Sequence, residues 1–297
     1  MPEICVIFNP TAGKHRAAER LEGLRKTWGA HIEFMPTQAA GHALELARQA
    51  ALDGYRVVTA AGGDGTVHEV ANGLLQAKRP DVQFAIVPIG SANDFAHSLD
   101  WHHLHQPAEV HTIDVGVIRE PGGKEKFFLC CLGLGFNGAV TLESRKIRRL
   151  QGVALYGLAT LRALWHHYRC PLMELAIDDE PAAQLPTLMF SVLLGRREGG
   201  FVMAPDAKLD DGLFNFVHTR DLSRWGVLKF LPRLALFGPP ATHPKLRMGL
   251  CKRVRIKSPD ALTIHVDGEF FARPEDDIRQ VEIEIVPAAL KVRSALE

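Results

Sequence analysis

In the first third of the chain, short apolar runs repeatedly stop at a polar or glycine-bearing turn and pass into a helical period. Ile4–Phe8 reads as a buried strand, followed by Asn9-Pro10-Thr11-Ala12-Gly13 and a helix with Ala17, Leu21, Leu24 and Trp28 on one face. His31–Met35 and a helix over Gly41–Ala51 form the next pair. Val57–Ala61 ends in Gly62-Gly63-Asp64-Gly65-Thr66 ahead of a helix through Val70 and Leu74. Phe84–Pro88 ends in Ile89-Gly90-Ser91-Ala92-Asn93-Asp94 ahead of a shorter one. Strands alternating with helices demand right-handed crossovers, and so a doubly wound parallel sheet covered on both faces. Such a sheet binds ligands at the C-terminal ends of its strands, which is where these polar segments fall.

From about Ile113 the texture changes. Phe127–Leu132, Leu172–Ile177, Leu188–Leu194, Leu213–Val217, Val254–Ile256 and Leu262–Val266 are strand-like, with helical periods only over Ser144–Tyr168 and Leu222–Leu236. This half reads as a mostly antiparallel β domain. A length of 297 residues suits two domains of roughly 100–200 residues each. With 46% hydrophobic and 23% charged residues, the chain is neither disordered, nor collagen-like, nor a disulfide-stapled miniprotein.

Cys5, Cys130, Cys131, Cys170 and Cys251 include no CxxC pair, so no disulfide framework or zinc knuckle is expected. The segment MPEICVIFNP lacks the basic start of a signal peptide, and Val153–Trp165 contains Arg162 and falls short of the ~20 apolar residues of a membrane span. A cytoplasmic protein, at most peripheral at the inner membrane face, is expected.

Gly62-Gly63-Asp64-Gly65-Thr66 carries the most chemistry. Glycines let a ligand approach the backbone, and the following helix turns unpaired N–H groups toward an anion. A carboxylate at Asp64 repels a bare phosphate, so it calls for a cation or an acidic proton. A tight turn capped by Asp64 fits the isolated segment as well. Asn9–Lys14 lacks the GxxxxGK[ST] spacing of a P-loop and is also readable as a plain turn. In the third loop, Asn93 or Asp94 would serve as a helix cap if it has no ligand. Three polar loops at neighbouring strand ends favour one shared site over three caps.

Taken together, NPTAGK at 9–14, GGDGTVHEV at 62–70, PIGSANDFA at 88–96, APDAKLDDGLF at 204–214 and DGE at 267–269 resemble the diacylglycerol kinase catalytic-domain superfamily. The similarity is greatest to its bacterial soluble lipid kinases, a group akin to diacylglycerol, phosphatidylglycerol, sphingosine and ceramide kinases. The resemblance covers nearly the whole chain. It implies an α/β nucleotide-binding domain over 1–118, joined by 286–297, and a β-sandwich lipid domain over 119–285, with the active site between them. It implies ATP contacts from Asn9, Thr37, Gly62, Gly63, Asp64, Gly65, Thr66, Glu69 and Ser91. Asp64 and Glu269 are the implied catalytic carboxylates, Glu269 as the general base on the lipid hydroxyl. A structural magnesium site is implied at the Asp211 carboxylate and the carbonyls of Lys208 and Leu213. From the residues alone, Asp210-Asp211-Gly212 is also an ordinary β-turn and Asp267-Gly268 also a hairpin turn. The chain departs from the family at Ser91, where threonine is usual. It departs again at Gly195–Gly200, where many members have an asparagine and a glycine triplet.

Charge is segregated. Arg220–Lys257 holds ten basic residues and one acidic, whereas Ser144–Cys170 holds six basic and none acidic. Both stretches carry bulky apolar residues, among them Leu155, Tyr156, Leu161 and Trp165, then Trp225, Leu228, Phe230 and Leu231. Basic amphipathic helices lie on anionic lipid, although a core face with a solvated basic edge has the same pattern. Protonating all fourteen histidines would take the net charge from +1 to +15, so binding to such a surface should tighten below pH 6. Trp101–His105 offers three histidines without a carboxylate or cysteine, more a polar loop than a metal site. The expected function is an ATP- and magnesium-dependent lipid kinase, with a diacylglycerol-like lipid as acceptor and no nucleic-acid partner. A homodimer is left open. The rival readings are an NAD kinase-like enzyme with a soluble substrate and a catalytically silent lipid- or nucleotide-binding protein.

Overall fold

The computed structural model describes residues 3–13, 21–22, 32–99, 109–147, 150, 152–240 and 242–293. The chain divides into one unit of Met1–Val115 with Pro287–Glu297, and a second of Gly116–Val286. Most of the helix expected around Ala17, Leu24 and Trp28 lies outside the described residues, as does the Trp101–His105 cluster.

In the first unit, β1 (Ile4–Phe8), β2 (Ile32–Pro36), β3 (Val57–Gly62) and β4 (Gln83–Pro88) lie parallel in the order β2-β1-β3-β4. β3 is buried along its whole length, as a central parallel strand must be. Val6, Ala61 and Ile89 pack with Leu21 on one sheet face. Helix α1 (His42–Asp53) buries Ala43, Ala47, Ala50 and Ala51. It packs against α2 (Asp64–Ala77), where Gly73 lets the backbones meet: a Cβ on Gly73 would stand 2.3 Å from the Leu44 carbonyl. The short α3 covers Asp94–Ser98.

The second unit contains β5 (Val110–Arg119, whose start belongs to the first), β6 (Glu125–Phe128), β7 (Cys131–Gly135), α4 (Phe136–Ser144) and α5 (Gly152–His166). Then come β8 (Leu172–Ile177), β9 (Ala183–Pro186), β10 (Met189–Leu193), the short hairpin β11 (Arg197–Glu198) and β12 (Phe201–Val202), and β13 (Phe214–Thr219). Helix α6 (Arg224–Phe237) precedes β14 (Leu246–Cys251), β15 (Arg253–Lys257), β16 (Ile264–Val266), β17 (Glu269–Ala272) and β18 (Gln280–Arg293). One antiparallel sheet runs β14-β13-β10-β7-β16-β17, while β9, β8, β15 and β18 form a second. Their inner faces meet in one core, with Leu132, Phe190, Phe214 and Val266 from the first sheet and Leu175, Val254, Ile256 and Ile283 from the second. The fold is thus the expected pairing of an α/β domain with a β-sandwich. β18 ends in the first unit, where Lys291 and Val292 pair parallel with Gln83 and Phe84 of β4.

Three elements differ from their sequence patterns. The run Phe127–Leu132 is two strands, because the N–H groups of Leu129, Cys130 and Cys131 turn to the Asp267 carboxylate at 2.8–3.1 Å. The helical pattern over Ser144–Tyr168 is interrupted. Helix α4 begins eight residues earlier, at Phe136, and unwinds after Ser144 through tight Lys146-to-Glu143 and Ile147-to-Ser144 backbone bonds. Helix α6 carries Pro232 in its interior on an exposed side.

Nor do the histidines act as one acid-sensitive set. His218 is buried beside the Phe190 ring, and burial, with Arg220 and Arg247 nearby, pushes its pKa down to about 4. All five cysteines are free, and only Cys170 is not buried.

Candidate functional site

In a parallel sheet every strand ends at the same edge, so four loops gather there. Backbone bonds tie neighbouring loops: Asn9 N–H donates to Ala61 O at 3.2 Å, Thr37 N–H to Phe8 O at 2.8 Å, and Ile89 N–H to Gly62 O at 2.7 Å. Asn9, Thr37, Gly62–Thr66 and Ser91 therefore share one rim of the first unit. Ser91 is exposed, Asn9, Thr37, Gly63, Asp64 and Gly65 are half-buried, and Thr66 is buried.

The β3–α2 and β4–α3 loops cross glycine on glycine. A Cβ on Gly90 would meet the Gly63 Cα at 2.5 Å, so a side chain there would push the loops apart. Asn93 fastens the crossing: its N–H donates to Asp64 Oδ2 at 2.9 Å and its Nδ2 to Gly90 O at 2.9 Å. It caps nothing with its side chain, and its φ of 51° is left-handed, a conformation asparagine tolerates better than most residues. Asp64 is not the cap of α2 either. Gly63 holds that position, so α2 starts at the rim directly after β3. Asn9 Oδ1 accepts from the N–H and hydroxyl of Thr11 at 2.9 and 2.8 Å, folding the first loop over itself. Glu69 is placed differently: its two oxygens accept from Gly41 and Ala43 N–H at 2.8 and 3.1 Å, capping α1.

In the second unit, β16 and β17 form a two-residue hairpin. Asp267 and Gly268 have φ of 50° and 81°, the positive pair that an Asp-Gly turn supplies, and Val266 pairs with Glu269. The hairpin reading of this segment is therefore correct, and Glu269 is the first residue after the turn. The Asp267 carboxylate anchors the turn through the three N–H groups named above. Arg145, just past α4, donates through Nη2 to Glu269 Oε1 at 2.6 Å and to Gly268 O at 2.8 Å. One carboxylate oxygen is thus held by Arg145. Arg145 was not singled out in the sequence, since it lies in no local pattern with Glu269, and Asp267 was read there only as a turn residue.

Asp211 closes a turn on its own backbone, its Oδ1 accepting from Leu213 N–H at 3.0 Å, with Gly212 at φ 70°. Lys208, Asp210 and Asp211 are exposed. A carboxylate oxygen together with backbone carbonyls would be an all-oxygen donor set of the kind that suits a hard cation keeping several waters. Among the described residues no group of three or more His, Cys, Asp or Glu is placed to hold a metal.

Residues 3–120 match the family described as diacylglycerol kinase catalytic domain, and residues 131–294 match YegS C-terminal NAD kinase beta sandwich-like domain. A protein from Staphylococcus carnosus named diacylglycerol kinase is 30% identical over 279 residues, 89% of this chain and 88% of that one. Another of that name from Staphylococcus aureus is 30% identical over 284 residues, 89% and 85% of the two chains. The crystal structure of a diacylglycerol kinase from Bacillus anthracis superposes with a TM-score of 0.70 at 18% identity, covering 98% of this chain and 96% of that one. A second structure from that organism reaches 0.74 at 19%, with the same coverage. At these identities the structural likeness speaks for the fold.

Proposed function

This chain belongs to the diacylglycerol kinase family, and on that premise we propose that it transfers the γ-phosphoryl group of ATP to a hydroxyl of a diacylglycerol-like lipid, with magnesium required. The observation that carries the reading is the crossed pair of glycine loops at the N-terminus of α2, with Asp64 tied into the crossing by Asn93.

Phosphoryl transfer is mostly positioning and charge stabilisation. The N–H groups of Gly65 and Thr66 at the start of α2 face phosphate oxygens, and Ser91 and Asn9 add polar contacts along the rim. Magnesium, when bound, screens the phosphates from Asp64, whose carboxylate would otherwise repel them. Glu269 takes the proton from the lipid hydroxyl as its oxygen bonds to the γ-phosphorus, and ADP leaves. Arg145 keeps the carboxylate aimed. Lys208, Asp211 and Leu213 would hold a second, structural magnesium ion.

The test is transfer of label from γ-labelled ATP, with magnesium, to a lipid panel and to NAD. Label should enter the lipid extract, and Asp64→Ala should lower it about a hundredfold or more. Label in NAD alone would instead establish the soluble-substrate reading. No label in either would remove both kinase readings.

The second unit also presents a surface suited to a membrane. Helices α5 and α6 pack on each other through Ala163, Leu164 and Val227. Outside that contact Trp165, Trp225 and Phe237 stand 79%, 74% and 77% exposed, with Leu161 and Leu236 also exposed. From Leu222 to Lys257 the sequence has no acidic residue, and Lys229 and Arg233 lie on the same exposed side of α6 as Trp225 and Leu236. Aromatic side chains with cations suit an anionic bilayer surface. No helix among the described residues is long and apolar enough to cross a membrane. Co-sedimentation with vesicles containing anionic phospholipid should weaken as salt rises, and about tenfold with Trp225→Glu plus Phe237→Glu. Binding indifferent to both changes would remove the membrane surface from the reading.

A further inference from the structure

A buried polar cluster in the second unit has no part in the chemistry above. Asn137, in the first turn of α4, donates through Nδ2 to Ser191 Oγ on β10 at 2.6 Å and to Glu198 Oε1 on β11 at 2.8 Å. His265 Nε2, on β16, lies 3.1 Å from the same Glu198 oxygen. The side chains of Glu198 and His265 are only 11% and 4% exposed. The cluster is seated on a glycine: a Cβ at Gly133 would stand 2.4 Å from His265 Nε2 and 2.7 Å from Glu198 Oε1. A side chain at 133 would have to displace these two groups.

The hydrogen bonds fix the roles. Glu198 Oε1 accepts from Asn137, and the network assigns the Nε2 proton of His265 to the same oxygen. That assignment leaves His265 Nδ1 an acceptor. Glu198 Oε2 and His265 Nδ1 are both buried, and neither has a hydrogen-bond partner among the described residues. Buried polar groups are nearly always paired, so two unpaired acceptors in one cluster mark a place that receives donors.

The cluster also neighbours the candidate base. His265 adjoins Val266, the residue paired with Glu269 in the β16–β17 hairpin. We propose that Glu198 and His265 form a headgroup subsite that selects acceptor lipids bearing a hydrogen-bond donor besides the hydroxyl that is phosphorylated. This rests on the lipid-kinase reading and narrows it. Diacylglycerol, once its single hydroxyl is engaged, offers only ester acceptors, which leave both buried groups unmet. A monoacylglycerol brings a second hydroxyl, and a ceramide brings a hydroxyl and an amide N–H.

The substitution Glu198→Gln gives the sharpest contrast. Asn137 and His265 both donate toward Oε1, so the glutamine must turn its carbonyl there and place its NH2 where Oε2 stood. The subsite then offers a donor suited to an ester.

The experiment compares kcat/KM for 1-oleoylglycerol, a ceramide and 1,2-dioleoylglycerol in matched detergent micelles, with melting curves for each protein. The wild type should favour the donor-bearing lipids by about tenfold to a hundredfold, because sites built around a hydrogen bond reject analogues that lack it. Glu198→Gln should lower that ratio about tenfold or more. A purely structural cluster would instead lower all three rates together. A wild-type ratio at or below one overturns the subsite whatever the variant does, as does a ratio unmoved by a folded variant. No phosphorylation of any lipid overturns the lipid-kinase reading and the subsite with it.

Discussion

Glu269→Gln should lower the rate of lipid phosphorylation by about two to four orders of magnitude, the range that a positioned general base contributes. The substitution is nearly isosteric. Glutamine keeps an oxygen for Arg145 Nη2, and the hairpin is held by backbone pairing and by Asp267, so melting should be unchanged. What disappears is the capacity to take a proton. Nucleotide affinity should hold, because the proposed ATP contacts all lie on the strand-end rim of the first unit. Initial rates with labelled ATP, alongside nucleotide binding, separate these effects. A rate within threefold of wild type would remove Glu269 as the base, and a matching loss of nucleotide affinity would make it a binding residue.

Glu143→Ala should destabilise the second unit strongly. The Glu143 carboxylate is only 1% exposed, yet faces Lys146 Nζ at 2.6 Å, Arg162 Nε at 2.8 Å and His167 Nε2 at 3.0 Å. Burial pushes its pKa up, but Lys146, His167 and Arg162 together hold it below the usual carboxylate range. Removing one member of a buried ion pair costs about 3–5 kcal/mol. Because Lys146, Arg162 and His167 are each partly exposed, about 2–3 kcal/mol is expected here. That corresponds to a melting temperature lower by roughly 5–10 °C.

Acid should act on the two groups in order. His218 is held neutral down to about pH 4, so below its ordinary 6.5 the unfolded chain binds a proton that the fold refuses, and stability declines between 6.5 and 4. The contribution of Glu143 is complete above the ordinary carboxylate value of 4.5 and is lost as pH falls through its lower folded value. Melting curves at pH 7, 5.5 and 4 for both proteins should show wild type weakening across the series. The deficit of the variant should stay constant from pH 7 to 5.5. A variant that melts within a degree of wild type at pH 7 would show that Lys146 and Arg162 need no buried counter-charge.

What could be read from the sequence follows from which interactions are local. The strands of the first unit were legible because each apolar run is short and stops at its own loop, and a parallel sheet gathers those loops without further information. Asp64, Thr66 and Ser91 could therefore be placed from sequence, and the Asp267-Gly268 hairpin could be read from two residues. The bend after Phe128 could not, because Asp267, far along the chain, takes the three N–H groups that would have continued the strand. Helix α4 opens with Phe136-Asn137-Gly138, a turn-like start stabilised by packing on the sheet. Arg145 reaches Glu269 across 124 residues, and Glu198 meets His265 across 67. Glu69 sits inside the GGDGTVHEV segment, yet its carboxylate is spent on α1.

The last strand, β18, bears on how this chain is made. Its first residues pair with β15 in the second unit, and Lys291 and Val292 extend the parallel sheet of the first. On the ribosome, residues 1–115 emerge well before 291, so the first unit must wait with β4 lacking one neighbour. During that interval β4 exposes an unpaired edge, the kind of surface on which nascent chains aggregate. The second unit needs β18 only as far as residues 280–284, whereas the first needs residues 291 and 292, so the first unit completes its sheet only after the whole of the second has been synthesised.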